Sequence, residues 1–222
     1  MAIEIGPGRG ALTAPLLARA HRVVAIELDP ALAAALRQKY EANARLTVVE
    51  GDVLGVDLTQ WPATVIAGNL PYYITSPILE KVLPLPPPLR QAVFLVQKEV
   101  ARRLAAAPGS RDYGYLSVFT QLYARPELLF TVPPGAFQPP PKVDSAVVRL
   151  TLEPRAAELG VDPGAFLRFA GACFAQKRKM LRNNLAGRYG RGRVDALPEA
   201  TLRAEQLSLP RLAALFRRLE AA

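Results

Sequence analysis

What most constrains the fold is an alternation, sustained over the first ~150 residues, of short apolar runs with segments of helical periodicity. The runs at 3–5, 23–27, 46–50, 65–68 and 93–96 are too short for helices, rich in aliphatic side chains and bounded by turn residues, so each reads as a buried strand. Between the first two, the pattern predicts a helix from Leu12 to about Ala20. A second helix opens at Asp29-Pro30, with Asp29 as N-cap and Pro30 at N1. Strands separated by helices are expected to run parallel, so the expectation is an α/β chain with a doubly wound, mostly parallel sheet. Two later β-like runs, 128–132 and 146–152, flank the proline-rich stretch 133–141 and are expected to add an antiparallel edge.

Glu153-Pro154-Arg155 ends the alternation. Beyond it Phe166, Phe169, Ala170, Cys173, Phe174, Leu181 and Leu185 recur at mostly three- and four-residue spacing, the signature of one helical apolar face. A last helix is expected from Ser208, with Pro210 in its first turn. The sequence therefore divides into an α/β domain, 1–154, and a small C-terminal helical domain, 155–222. Charge follows the same division. Residues 1–154 hold 15 Lys+Arg against 13 Asp+Glu, and residues 155–222 hold 13 against 6. A near-neutral body with a basic tail suggests that the tail meets a polyanion; the alternative is a solvated basic helix. The tail's densest stretch, from Gln176 to Arg193, has seven basic residues and no acidic one. If its start is helical, Arg178 and Arg182 share a face, flanked by Lys177 and Lys179.

Other features restrict the chemistry. A single cysteine (Cys173) and a single histidine (His21) exclude an internal disulfide and argue against any Cys- or His-based metal centre. No apolar run approaches the ~18 residues that would span a bilayer. The start, Met1-Ala2-Ile3-Glu4-Ile5, lacks a secretory pattern. The expectation is a metal-free cytoplasmic monomer without a membrane partner.

Glu4-Ile5-Gly6-Pro7-Gly8-Arg9-Gly10 lies between the first strand and first helix, where glycines let the backbone turn tightly and approach a ligand. Alone the motif is ambiguous. Gly6-x-Gly8-x-x-Ala11 satisfies the dinucleotide fingerprint, and Glu27 lies where a ribose-binding acid is expected. Two further turns, Gly51-Asp52-Val53 after the third strand and Asn69-Leu70-Pro71-Tyr72 after the fourth, favour a methyl donor over NAD. Glu27, Asp52 and Val53 fit the places that, in methyltransferases with this sheet, hold the ribose hydroxyls, the adenine amine and the adenine ring. Asn69-Leu70-Pro71-Tyr72 resembles the motif of amino-methyltransferases that act on adenine.

Longer runs narrow this resemblance to one family. Asn69-Leu70-Pro71-Tyr72-Tyr73-Ile74-Thr75-Ser76-Pro77, the run from Phe94 to Ala101, and Phe137-Gln138-Pro139-Pro140-Pro141-Lys142-Val143-Asp144-Ser145 are similar to their counterparts in the ribosomal RNA adenine dimethyltransferases. The run from Gln176 to Leu185 resembles that family's basic helix. The resemblance covers essentially the whole chain and implies a Rossmann-like methyltransferase sheet using S-adenosyl-L-methionine. Its substrate would be an adenosine of small-subunit rRNA, as free RNA or in a ribosomal subunit precursor.

The resemblance also assigns residues. Gly6, Gly8, Glu27, Asp52, Val53 and Asn69 would hold the cofactor. Asn69 and the Leu70 carbonyl would accept the hydrogens of the target amine, with Pro71 counted in the same catalytic motif and Tyr72 and Phe137 facing each other across an extruded base. Lys177, Arg178, Lys179 and Arg182 would meet RNA. Family members carry a segment before the first strand that lines both pockets; this chain starts inside or just before that strand, so weakened activity is expected. Three rival functions remain: a large-subunit enzyme of the erythromycin-resistance type, a ribosome-assembly factor that binds RNA without methylating it, and, weakest, an NAD oxidoreductase. His21 reads as a loop residue, Cys173 as core and Trp61 as a loop anchor, while Tyr113 and Tyr115 suit either RNA or core packing.

Overall fold

The computed structural model describes residues 1–220. Its strands are β1 (Ala2–Ile5), β2 (Val23–Glu27), β3 (Leu46–Glu50), β4 (Val65–Asn69), β5 (Gln91–Gln97), β6 (Ala124–Val132) and β7 (Ser145–Leu152). They form one sheet in the order β3-β2-β1-β4-β5-β7-β6. The five β3-to-β5 neighbours are parallel, and β7 runs antiparallel to β5. β1 and β2 are buried along their whole length, as expected of central parallel strands covered on both faces. The helices are α1 (Thr13–Arg19), α2 (Pro30–Lys39), α3 (Thr75–Val82), α4 (Lys98–Leu104) and α5 (Tyr115–Tyr123), then α6 (Ala156–Leu159), α7 (Pro163–Phe174), α8 (Leu181–Tyr189), α9 (Arg191–Asp195) and α10 (Leu209–Glu220).

Helix starts obey local chemistry. Asp29 accepts the amides of Ala31 (2.8 Å) and Leu32 (3.1 Å) ahead of Pro30, which has no amide proton to lose. Asp162 does the same for Ala165 (2.7 Å) ahead of Pro163. The register places Ile5 opposite both Ile26 and Gly68, so β1, β2 and β4 end together at one carboxyl edge.

Contacts divide the chain into two compact units, neither of them one continuous stretch. One comprises Met1–Ala101 and Glu127–Leu152; the other comprises Arg102–Pro126 and the chain from Glu153 onward. This differs from a boundary near residue 155, because Tyr113, Val118 and Leu122 bury their side chains in one core with Phe166, Phe169, Cys173, Leu212 and Leu215. Apolar burial, roughly 25 cal/mol per Å², outweighs chain continuity in deciding where a segment belongs. The regrouping sharpens the charge division. The sheet unit holds 11 Lys+Arg and 11 Asp+Glu, net zero, while the helical unit holds 17 against 8 and so carries the whole +9.

The tail also departs from expectation. The apolar pattern from Phe166 to Leu185 belongs to two helices, α7 and α8, and Lys177, Arg178 and Lys179 lie on the turn between them. The predicted basic helix face is therefore corrected to a basic turn followed by Arg182 in the first turn of α8. An isolated bridge between Met180 and Arg203 draws the chain into extended geometry there. The Asn184 amide donates to the carbonyls of Cys173 (2.7 Å) and Gln176 (3.3 Å), closing the end of α7.

Candidate active site

The loops after β1, β2, β3 and β4 meet the carboxyl edge in turn. Gly6 and Gly8 take φ values of 65° and 55°, the left-handed region where a Cβ is strained. A Cβ on Gly6 would lie 3.7 Å from the carbonyl oxygen of Asn69, so the glycine loop and the β4 turn are close neighbours. Glu27, at the end of β2 and almost buried, is held by two backbone donors. The amide of Gly8 donates to Oε2 at 2.9 Å and that of Asp29 to Oε1 at 3.0 Å. Asp52, exposed after β3, accepts the Leu54 amide on Oδ1 at 2.9 Å. Its neighbour Val53 is buried. Lys81 of α3 donates to the Leu54 carbonyl at 2.7 Å and holds this loop.

Glu4 was not singled out as a site residue from sequence. It is the one acid in a four-residue strand of otherwise apolar side chains, and that break in β1 was the available signal. It is 1% exposed, and the Thr13 hydroxyl donates to its Oε2 at 2.6 Å. Burial raises its carboxyl above the ordinary value, repulsion from Glu27 adds to the rise, and the Thr13 hydrogen bond opposes it. Two carboxylates thus flank the glycine loop.

Asn69 ends β4 with an exposed side chain, and Leu70 behind it is buried, its amide donating to the Leu95 carbonyl at 3.0 Å. Pro71 accepts the Ile74 amide at 3.2 Å, making a single turn that carries Tyr72. The hydroxyls of Tyr72 and Ser145 are 2.7 Å apart. Asn69, Leu70, Pro71, Tyr72, Phe137, Pro139 and Pro141 together line one open cavity of ≈ 320 Å³. That volume lies at the lower end of ligand clefts, roughly 300–1,000 Å³. Residues some seventy positions apart in the chain are thereby brought together.

The remaining sequence candidates fall elsewhere. Lys177 donates to the Arg111 carbonyl at 2.5 Å; Arg178 and Lys179 are exposed. Arg182 is half-buried and its Nε has no hydrogen-bond partner. His21 is exposed, whereas Cys173 is buried in α7, its thiol pushed up to about 12 by burial. Tyr113 is wholly buried in the helical core, and Tyr115 is half-buried and stacks on Phe119. Among the described residues no helix is long and apolar enough to cross a membrane.

The strand order, the glycine loop and the acid-bearing loops at the carboxyl edge define a Rossmann-like methyltransferase. Comparison with known proteins narrows this. A family model described as ribosomal RNA adenine dimethylase matches residues 1–216, and the chain belongs to that family. It is 51% identical to ribosomal RNA small subunit methyltransferase A of Acidobacterium capsulatum, covering 98% of this chain and 81% of that protein. A dimethyladenosine transferase from Plasmodium falciparum superposes with a TM-score of 0.81 at 25% identity, over 98% of this chain and 87% of that one. The 23S rRNA methyltransferase ErmE superposes with a TM-score of 0.72 at 30% identity, over 99% and 90%.

Proposed function

We propose that the protein transfers methyl groups from S-adenosyl-L-methionine to the exocyclic N6 amine of adenosines in small-subunit rRNA, two per base, during ribosome biogenesis. The observation that carries this reading is the cavity at the end of β4, where the Asn69–Tyr72 turn faces Phe137 and the proline loop. Its aromatic lining, Tyr72 and Phe137, suits a base removed from its stack.

The residues around the glycine loop fit the methyl donor better than NAD. The Gly8 amide, which a pyrophosphate would need, already donates to Glu27. Glu4 and Glu27 also set a negative potential beside the loop, which repels a pyrophosphate and attracts a sulfonium and an ammonium group. Glu27 would hold the ribose hydroxyls, Asp52 the adenine amine and Val53 the ring face. When bound, the cofactor supplies an electrophilic methyl group on a positively charged sulfur.

The protein's own contribution is positioning. An exocyclic adenine amine is a poor nucleophile because its lone pair is delocalised into the ring. The Asn69 side-chain oxygen and the Leu70 carbonyl would accept its two hydrogens, turning the nitrogen lone pair toward the methyl group. Tyr72 and Phe137 would hold the ring between them, and the reading calls for no protein nucleophile. The +9 helical unit, including Arg178, Lys179 and Lys177 on their turn, would take the rRNA phosphates.

Methyl transfer to both ribosomal RNAs, with mass mapping of the products, tests the proposal. Dimethyladenosine in small-subunit RNA is the expected result. Methylation of large-subunit RNA alone would favour the erythromycin-resistance reading, which the 0.72 superposition on ErmE keeps in play. RNA binding without S-adenosylhomocysteine binding would identify an assembly factor instead.

A further inference from the structure

The two aromatic walls of the base cavity come from different parts of the chain. Tyr72 sits on the turn after β4, and Phe137 sits on the loop between β6 and β7. That loop returns to the sheet at Asp144 and Ser145, where two contacts meet. The Lys98 ammonium, at the first residue after β5, lies 2.8 Å from Asp144 Oδ2, and the Lys98 amide donates to the Asp144 carbonyl at 3.0 Å. One residue on, the buried Ser145 hydroxyl is 2.7 Å from the Tyr72 hydroxyl.

Neither contact is needed to hold β7 in place. Ser145 already pairs with Gln97 in a seven-residue antiparallel ladder between β5 and β7. The Lys98 and Asp144 side chains are 32% and 42% exposed, and an ion pair that open to water adds little to global stability. Its geometric effect is larger. Of the six residues between Phe137 and Asp144, three are prolines with fixed φ. A displacement at Asp144 is therefore carried along to Phe137 more than it is absorbed on the way.

We propose that Lys98, Asp144 and Ser145 form a two-point latch that positions the walls of the base slot. The Lys98–Asp144 pair fixes the end of the Phe137 loop to β5, and the Ser145 hydroxyl fixes the Tyr72 ring to the same end. None of the three touches the reacting atoms. The latch sets the gap between Tyr72 and Phe137, and with it how the slot receives an amine that already carries one methyl group. This rests on the reading of the cavity as the target-base site.

The test uses the full chain and small-subunit rRNA, with Lys98→Met, Asp144→Asn, Ser145→Ala and the exchanged pair Lys98→Asp with Asp144→Lys. Steady-state methyl transfer, the ratio of monomethyl- to dimethyladenosine, S-adenosylhomocysteine affinity and Tm are measured for each. A misplacement of about 1 Å caused by a remote change can cost up to roughly a hundredfold. Each single variant is therefore expected to raise KM for RNA about tenfold and shift product toward monomethyladenosine, with cofactor affinity and Tm at parental values. The exchanged pair should recover part of the loss. Parental KM and product ratio in the single variants would overturn the latch, as would an exchanged pair no better than either single change, or a loss of Tm and cofactor affinity that accounts for the kinetic defect. Tyr72→Ala and Phe137→Ala separate the two levels. If they too leave KM and product ratio unchanged, the base-site reading falls and the latch with it; if they alter both while the latch variants do not, only the latch falls.

Discussion

Replacing Gly68 by alanine gives a direct test of why β4 can lie beside β1 at the site. Gly68 faces Ile5 across the parallel pair. A Cβ built on it would stand 2.4 Å from the Ile5 carbonyl oxygen and 3.2 Å from the Ile5 Cβ. The first of these atoms is backbone in the centre of the sheet, so no side-chain rotation relieves the clash and the strands must separate. Overpacking of this kind costs about 1–3 kcal/mol. At about 2–4 °C per kcal/mol for a chain of this size, Tm should fall by about 2–12 °C. Ile5 precedes Gly6 and Gly68 precedes Asn69, so the displacement reaches both site loops, and S-adenosylhomocysteine affinity should fall as well. Gly187 is the control. It lies in α8 with nothing within 4 Å of a built Cβ, so the same substitution there relieves only glycine's helix penalty. It should raise stability by up to about 1 kcal/mol. Thermal melts and calorimetry on the two variants decide the matter. A Gly68→Ala protein with parental Tm and parental affinity would refute the close-approach argument.

Four further outcomes are expected. Asn69→Ala should lower kcat by ~10²-fold or more, the usual loss of an oriented polar contact at a reacting centre, with Tm unchanged. Glu27→Ala and Asp52→Ala should each weaken S-adenosylhomocysteine binding by roughly 1–3 kcal/mol in calorimetry; unchanged affinity in both would move the cofactor to other loops. Arg178→Glu with Lys179→Glu should weaken rRNA binding and flatten its salt slope while leaving cofactor affinity alone. Arg182 is spared because it is half-buried, and reversal there would disturb the fold as well. Glu4 has a raised carboxyl, so its protonated form is the one the fold favours, and its stability contribution is lost as pH rises through that raised value. Glu4→Gln should therefore melt at or above the parent at neutral pH, with the difference shrinking as pH falls into the carboxylate range; a difference independent of pH would contradict this.

The parts of this architecture that were legible from sequence are those set by local pattern. The strands around Ile26 and Ile66 announce themselves because a parallel strand buried on both faces must be apolar throughout. The Asp29-Pro30 and Asp162-Pro163 starts follow from capping chemistry within three residues. Long-range decisions were not legible. Nothing local to Tyr113 or Leu122 says that they share a core with Phe166 and Leu212. The spacing of Arg178 and Arg182 suggests a helix, yet the Met180–Arg203 bridge, set by residues twenty positions on, replaces it with a turn. Glu27 was visible from its place after β2. Its two backbone donors, the amides of Gly8 and Asp29, were not. The pairing of Tyr72 with Phe137 rested on family resemblance alone, since no residue pattern links the β4 turn to a loop beyond β6.

Charge shows the same dependence on long-range packing and connects it to function. Divided at residue 155, the chain is a mildly basic body with a basic tail; divided by packing, the sheet unit is neutral and the helical unit carries +9. Neutrality of the sheet unit is an average that conceals local design. Glu4 and Glu27 are both nearly buried beside the glycine loop, and burying a carboxylate costs stability unless something offsets it. Thr13 offsets part of the cost at Glu4, and the Gly8 and Asp29 amides offset part at Glu27. A residual cost stays at Glu4, shown by its raised carboxyl. An acid kept at a cost within an otherwise apolar strand is what the proposed cationic ligand would call for, just as seventeen basic residues in a helical unit are what the proposed polyanion would call for. The two units thus bear opposite electrostatic demands, and the proposed pairing of a positively charged methyl donor with an RNA substrate meets both.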